Sequence, residues 1–183
     1  MSDTTPFKNL VDMTNRSVAQ FADRKRFASK VGDAWHWITF REFGQLIDAF
    51  RGGLAQLGVG RGDAVAVISN NRVEWAVGAY APYGRGAVYV PMYEKQLPLD
   101  WEYIIADSGA KVALVANRSI ATVLTASSDR IPSLEHIVVF DADPSEPDSY
   151  GAALLTGDAN PTVAEDPDPS QLAGLIYTSG TTG

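Results

Sequence analysis

The residues best suited to chemistry form one short stretch at positions 178–183, directly after the apolar run 172–177. Glycines let a backbone approach a ligand closely, and successive N–H groups of such a loop can converge on an anion. Hydroxyl side chains add further donors. We therefore predict a phosphate-binding loop after a buried strand, while a plain β-turn remains the alternative that composition alone allows. The residues of this predicted site are Thr178, Ser179, Gly180, Thr181, Thr182 and Gly183.

The loop differs from two common phosphate-binding patterns. Neither G-x-x-x-x-G-K-[S/T] nor G-x-G-x-x-G occurs in the chain. A phosphate loop normally leads into a helix whose N-terminal dipole completes the anion site. Because no residue follows Gly183, we expect the chain to be a piece of a larger protein.

Composition and charge exclude several classes of function. The 183 residues are 45% hydrophobic and 20% charged, as in an ordinary globular domain. The net charge is −7, and residues 131–183 contain nine acids without a lysine or arginine. This acidic part argues against a nucleic-acid surface. It would also repel phosphate unless a lysine beyond the chain, or Mg²⁺, offset it.

Metal and membrane sites are not expected in this chain. It has no cysteine, and its two histidines, His36 and His136, are too few for a metal site. No segment resembles a signal peptide or reaches the length of a membrane span. A cytoplasmic location is therefore predicted.

The strand and helix pattern predicts an α/β fold with a mostly parallel sheet. A helix opens at a capping box of Thr39 and Glu42, ends before Gly58, and contains the pair Gly52 and Gly53. Each of these two glycines costs a helix about 1 kcal/mol, which close packing against a neighbour would justify. Alternating elements indicate three layers, with flanking helices around the sheet. We predict a β-hairpin at 26–38, strands at 64–69, 87–92, 111–116 and 136–140, and helices at 1–25, 39–57, about 70–83 with Asn70 or Asn71 as its cap, 99–108 and 119–128.

The chain divides into three predicted segments. Residues 1–140 form an N-terminal α/β subdomain, 141–171 a connecting segment rich in proline and aspartate, and 172–183 a strand with the start of the loop. The connecting segment is expected to be a solvated linker, with room for a short helix near 150–155.

Several aromatic and basic residues have simpler structural interpretations. Trp35, Trp37, Trp75 and Trp101 are expected to be packing residues. The basic run 24–26 predicts a solvated face, with contact to membrane lipid as the alternative.

The string Leu-Ile-Tyr-Thr-Ser-Gly-Thr-Thr-Gly at 175–183 resembles the phosphate-binding signature of the adenylate-forming enzymes, which include acyl-CoA synthetases, luciferases and the adenylation domains of peptide synthetases. Further segments at 38–43, 58–67, 70–75, 84–93 and 107–111 resemble family segments in the same order. Several weak matches in order are more specific than any one of them. The stretches 71–75, 91–93 and 97–111 look most like bacterial long-chain fatty acyl-CoA synthetases.

The resemblance implies a function for the parent enzyme. The fold would be the N-terminal portion of its large domain, and residues 178–183 would hold the phosphates of ATP. A fatty acid would be activated as acyl-AMP and passed to CoA, with Mg²⁺ as a further cofactor. The family's lysine, magnesium-binding acid, adenine pocket and C-terminal lid would lie beyond Gly183. No catalytic residue is therefore assigned to this chain, which alone is expected to be inactive.

Two alternatives remain open. Another adenylating ligase would act on an aryl, short-chain or amino-acid substrate, because most of the acyl pocket would lie downstream. A stand-alone binding or interaction domain would be a different class of protein, and a measurement of acyl-AMP formation by the chain would separate it from the acyl-CoA ligase hypothesis. Faces built to contact a missing domain also predict self-association, which analytical ultracentrifugation would detect.

Overall fold

The computed structural model describes residues 6–178, which contain six helices and six strands. In chain order these are α1 Leu10–Phe21, β1 Lys25–Val31, β2 Ala34–Thr39, α2 Phe40–Gln56, β3 Ala64–Ile68, α3 Val73–Tyr83, β4 Val88–Met92, α4 Pro98–Ser108, β5 Ala110–Val115, α5 Arg118–Ala126, β6 His136–Val139 and α6 Tyr150–Ala159.

The predicted parallel sheet is confirmed. Its four strands lie in the order β4-β3-β5-β6, and every neighbouring pair is parallel. From β3 the chain passes through α3 to one neighbour, β4, and then crosses through α4 to the other neighbour, β5. The direction in which strands are added to the sheet therefore reverses between β3 and β5. In a doubly wound sheet this arrangement opens a crevice at the carboxyl ends of the strands.

Helices cover both faces of the sheet, so the chain has the three predicted layers. On one face Val65 and Val67 of β3 share a core with Phe43 and Phe50 of α2. On the other face Ile68 of β3 contacts the core built around α4 and α5. Since alternate residues of a strand point to opposite faces, an apolar run such as β3 is buried on both sides.

The glycine pair inside α2 is explained by α6, which crosses it at very short distance. A methyl group on Gly157 of α6 would lie 1.7 Å from the Ala49 carbonyl oxygen. One on Gly53 would lie 2.4 Å from the Ala153 carbonyl oxygen. The predicted reason for tolerating Gly52 and Gly53, close approach of a neighbour, is thus confirmed.

The acidic segment 141–171 is more ordered than the predicted linker. It contains the ten-residue helix α6, which is longer than the short helix expected, and Tyr150 is buried against Phe50 and Phe140. The full length of α6 was not predicted because its apolar side chains do not fall on one face. Its contact with α2 is made by glycines, which carry no hydrophobic signal.

Arginines from the first part of the chain neutralise much of this acidic segment. Arg118 binds two carboxylates at once, and the other two pairs join residues more than 60 positions apart. The uneven charge of the sequence is thus partly balanced in space. The pairs are Arg61–Glu165, Arg72–Asp141, Arg118–Glu146 and Arg118–Asp148.

The predicted asparagine cap of α3 is wrong. Arg72 is the N-cap residue, and no side chain accepts a hydrogen bond there. Its guanidinium donates to Glu74 and Asp141, at 2.7 Å each. Glu74 is therefore held by an arginine and cannot close a capping box with Asn71.

The prediction that all four tryptophans are packing residues holds for Trp101 and fails for two others. Trp101 of α4 is buried in the core, whereas Trp35 and Trp37 are 60% and 49% exposed. Both lie on the outward face of the β1–β2 hairpin, whose inner face carries Phe27 and Ile38 into the core. A two-stranded hairpin over one core buries only one face, and alternation places these two rings on the other.

A buried carboxylate gives the fold a defined acid response. Glu102 of α4 accepts hydrogen bonds from Arg130, at 2.6 and 2.7 Å, and from the Ser127 hydroxyl at 2.6 Å. These bonds, those of Arg130 foremost, lower the pKa of Glu102 to about 2. Because the folded pKa lies below the unfolded one, this stabilisation is present above the ordinary pKa near 4.5 and is lost as pH falls through about 2.

Glu102→Gln is therefore expected to lower the urea midpoint at neutral pH, with a gap to wild type that closes as pH falls toward about 2. Urea titrations across this range measure the gap. Glu135→Gln, which removes an exposed carboxylate whose ion pair with Lys111 is long, at 3.8 Å, is the matched control and should follow wild type closely. A gap that stays constant down to acid pH would contradict the assigned role.

Candidate functional site

The predicted loop is approached by residues 172–178, of which Thr178 is the one predicted site residue within the described range. Thr178 is exposed, so its hydroxyl is open to a ligand. The other five predicted residues, Ser179, Gly180, Thr181, Thr182 and Gly183, lie outside the described residues. The structure therefore bears on how the loop is approached and anchored.

The predicted strand at 172–177 is present only as a single bridge. Gly174 pairs in parallel with Tyr89 of β4. The Tyr89 N–H donates to the Ala173 carbonyl at 2.9 Å, and the Leu175 N–H donates to the Tyr89 carbonyl at 3.0 Å. The next donor on this edge would be Pro91, two residues along β4, and proline has no N–H. The expected buried strand is thus wrong in extent, with Ile176 78% exposed.

This bridge nevertheless sets the direction of the chain. Because 172–178 runs parallel to β4, it heads for the carboxyl ends of the sheet strands. Ligands of open α/β sheets bind at those ends, outside the point where the strand order reverses. The approach to the predicted loop therefore leads along the edge strand β4 toward the end of the sheet at which ligands bind in this fold class.

Tyr177 ties the approach to α4. Its hydroxyl donates to the Asp107 carboxylate at 2.6 Å, and its ring meets Tyr103 edge-on at 6.4 Å between centroids. The bond to Asp107 is the main cause that raises the pKa of Tyr177 to about 12. The residue immediately before Thr178 is thus fixed by a charge-assisted hydrogen bond to a neighbouring helix.

A second anchor lies at the start of the same segment. Gln171 donates to the Gly86 carbonyl at 2.6 Å and accepts from Arg61 at 2.6 Å. Arg61 also pairs with Glu165 at 2.5 Å. Sequence reasoning missed this cluster because Gln171 is 85 and 110 positions from its partners Gly86 and Arg61, and no local pattern links them. Together with Tyr177 it holds both ends of the segment that leads to the loop.

Two cavities lie near these elements, and they differ in position. An open groove of about 1000 Å³ lies beside the carboxyl end of β3, between the hairpin and residues 70–76. A smaller cavity of about 270 Å³ is lined by Leu10, Met13, Tyr83 and Leu172, at the amino end of β4. The groove lies at the end of the sheet where ligands bind in this fold class, and the smaller cavity at the opposite end.

Within residues 6–178 no group of three or more His, Cys, Asp or Glu side chains is placed to hold a metal ion. No helix of that range has the length and apolar character needed to cross a bilayer.

The Tyr177–Asp107 bond gives a spectroscopic prediction. Asp107→Ala is expected to shift one tyrosine from a pKa of about 12 toward the ordinary value near 10, because the carboxylate that favours the protonated phenol is gone. Tyrosinate absorbance as a function of pH measures the shift.

The comparison variants for this titration are Tyr177→Phe and Asp129→Ala. Tyr177→Phe, added to Asp107→Ala, should remove from the titration curve the tyrosine whose pKa had shifted. Asp129→Ala removes an exposed carboxylate elsewhere and should leave the wild-type titration curve unchanged. An Asp107→Ala titration identical to wild type would refute the bond.

Comparison with known proteins decides the family. The family described as AMP-binding enzyme matches residues 14–183. The chain belongs to this AMP-binding enzyme family. The resemblance inferred from the ordered segments and the 178–183 loop is thus confirmed, and it covers nearly the whole chain.

Relatives of this AMP-binding enzyme chain include long-chain ligases. The chain is 33% identical over 159 residues to the long-chain-fatty-acid–CoA ligase FadD15 of Mycobacterium tuberculosis, covering 84% of this chain and 26% of the relative. It is 28% identical over 198 residues to the peroxisomal long chain acyl-CoA synthetase 6 of Arabidopsis thaliana, covering 99% and 28%. The chain thus spans about a quarter of the length of these relatives.

Solved structures confirm the fold of the AMP-binding enzyme chain. The anthranilate CoA ligase AuaEII, solved in complex with anthranoyl-AMP, superposes with a TM-score of 0.79 at 26% identity. The match covers all of this chain and 33% of AuaEII. The three-layer architecture described above is therefore the N-terminal portion of an adenylating enzyme fold.

Proposed function

We propose that this chain is part of an ATP-dependent acyl-CoA ligase that activates a long-chain fatty acid as acyl-AMP and transfers it to CoA. The observation that carries the proposal is the 33% identity to FadD15 over 84% of the chain. In this reaction the fatty acid carboxylate attacks the α-phosphorus of ATP and pyrophosphate leaves. The CoA thiol then attacks the acyl carbonyl, and AMP leaves.

The contribution of this chain would be to position ATP. Residues 178–183 would cradle the phosphates through backbone N–H groups and hydroxyls, with Thr178 presented at the carboxyl end of the sheet. The Tyr177–Asp107 bond and the Gln171 cluster would keep the loop at a fixed distance from β4. Such positioning contributes to rate because a preorganised anion site need not reorganise during reaction.

Magnesium is not assigned to the described residues, since no cluster within 6–178 fits a metal ion. When bound with ATP, Mg²⁺ would neutralise phosphate charge. The segment boundaries 1–140, 141–171 and 172–183, a cytoplasmic location and self-association of the chain all stay predictions. By itself the chain is expected to give no acyl-AMP, as it spans about a quarter of the relatives' length.

An aryl substrate is the second candidate, and AuaEII is the observation that favours it. AuaEII is named for anthranilate, and its likeness extends over the whole of this chain. Activity with fatty acids of increasing length, compared with activity with anthranilate, distinguishes the two substrates.

A chimera tests both candidates. The present 183 residues replace the matching N-terminal part of FadD15, and ATP–pyrophosphate exchange is measured with each acid. We expect exchange that is strongest with long-chain acids and absent with the 183-residue chain alone. Exchange confined to anthranilate would favour the aryl candidate. A folded chimera without exchange, beside active FadD15, would count against a role in adenylation and for a stand-alone binding domain.

A further inference from the structure

The outward face of the β1–β2 hairpin combines aromatic and cationic side chains. We call Lys25, Lys30, Trp35 and Trp37 the tryptophan face. Trp35 is opposite Lys30 in the hairpin register, and the Lys25 ammonium lies 4.8 Å from the centre of a Trp37 ring. All four residues are exposed, and the two indoles are 60% and 49% exposed. Residues that only pack a core are buried, whereas these two large rings are exposed at alternate positions of one strand and form a surface patch.

The rest of the hairpin holds this face outward. On the inner face Phe27 packs edge-on against Phe43, at 5.1 Å between ring centroids, and Ile38 joins the same core. Because alternate side chains point to opposite faces, Trp35 and Trp37 cannot turn inward without removing Phe27 and Ile38 from the core. The exposure of the indoles is therefore built into the register of the hairpin.

The charge of this region is opposite to that of the whole chain. Residues 25–39, the hairpin itself, contain three of the 15 lysines and arginines and only one acid, Asp33, in a chain of net charge −7. Within residues 6–178, neither Lys25 nor Lys30 forms an ion pair, so both charges on the face are available to a partner.

We propose that the tryptophan face docks on the surface of an anionic phospholipid bilayer. Indole rings are favoured at the boundary between headgroups and acyl chains, since one edge is apolar and the N–H is polar. Adjacent lysines add attraction to anionic headgroups and can extend toward them along their apolar stems. The acidic remainder of the chain is repelled by the same surface, which orients the hairpin toward it.

A second copy of this chain fits the face less well. A two-fold contact through the same patch would bring four lysines, Lys25 and Lys30 from each copy, into one interface. Such like-charge juxtaposition costs affinity, whereas an anionic bilayer offers the opposite charge over a flat area. The charge pattern therefore favours lipid.

Vesicle co-sedimentation of the 183-residue chain tests the proposal. One set of vesicles contains phosphatidylcholine alone, and the other contains equal amounts of phosphatidylcholine and phosphatidylglycerol. We expect binding to the anionic set that weakens with added salt. Lys25→Gln with Lys30→Gln should reduce it about fivefold per lysine, and Trp35→Ala with Trp37→Ala by about tenfold or more.

The control pair is Tyr93→Ala with Leu97→Ala, which removes two apolar side chains, 61% and 67% exposed, from a different surface. This pair should bind as wild type does, and circular dichroism should show all variants folded. Equal binding to both vesicle sets, no binding, or loss of binding in the control pair would overturn the proposal. Self-association abolished by the tryptophan variants would also overturn it, in favour of a second copy.

Discussion

Replacing Gly157 with alanine is expected to lower the free energy of unfolding by about 3 kcal/mol, at the upper end of the usual cost of overpacking. The new methyl group would lie 1.7 Å from the Ala49 carbonyl oxygen and 2.6 Å from the Gly53 nitrogen. Both are backbone atoms of α2, so relief requires α2 and α6 to separate as rigid bodies. Separation would also open the Phe50–Tyr150 contact, now 4.9 Å between ring centroids. Urea denaturation measures the loss.

The matched control is Gly60→Ala. Its methyl group would meet nothing nearer than an Asp63 carboxylate oxygen at 4.0 Å, and Gly60 does not have a positive φ. Its effect is therefore expected to stay within about 0.5 kcal/mol. If the two variants unfolded at similar urea concentrations, the close crossing of α2 and α6 would be refuted.

Removing two hydroxyls from the predicted phosphate loop is expected to slow adenylation about 100-fold or more, the usual cost of losing preorganised donors at a developing charge. The change is Thr181→Ala with Thr182→Ala in the FadD15 chimera described above. The expectation rests on the proposed function and on residue types, as both threonines lie outside the described residues. ATP–pyrophosphate exchange at saturating fatty acid measures the effect.

Thr122→Ala is the control for this pair. Its hydroxyl donates to the Arg118 carbonyl within the exposed side of α5, far in sequence from the loop. Exchange in this variant should match the parent chimera. Full exchange in the double variant would show that these two hydroxyls do not contribute to adenylation, and would leave backbone N–H groups and the other hydroxyls as the loop's donors.

Local chemistry made several elements predictable. The Thr39–Glu42 capping box is present as expected, with the Glu42 carboxylate 2.7 Å from the Thr39 nitrogen. Gly58 has the positive φ expected at the end of α2. Apolar runs such as 64–68 predicted buried parallel strands. These features depend on interactions within a few residues or on periodicity, both of which can be read from sequence.

Features formed by distant residues were not predictable. The cap of α3 was misassigned because the Arg72–Asp141 pair joins residues 69 positions apart. The 172–177 strand was overestimated because its partner on β4 carries Pro91 at the position where a donor was needed. Helix α6 was predicted only as a short helix near 150–155 within a linker, because glycines, which show no hydrophobic period, form its contact with α2.

By itself the sequence determined the fold class and the family, because these follow from periodicity and from an ordered set of short motifs, and it predicted a phosphate loop at 178–183. Only the tertiary structure decided how the approach to that loop is anchored, through Tyr177 and Asp107, which are 70 positions apart. It also decided that Trp35 and Trp37 face water. The physical reason is common to both: side-chain environment depends on which distant surfaces meet, and a local pattern does not specify them.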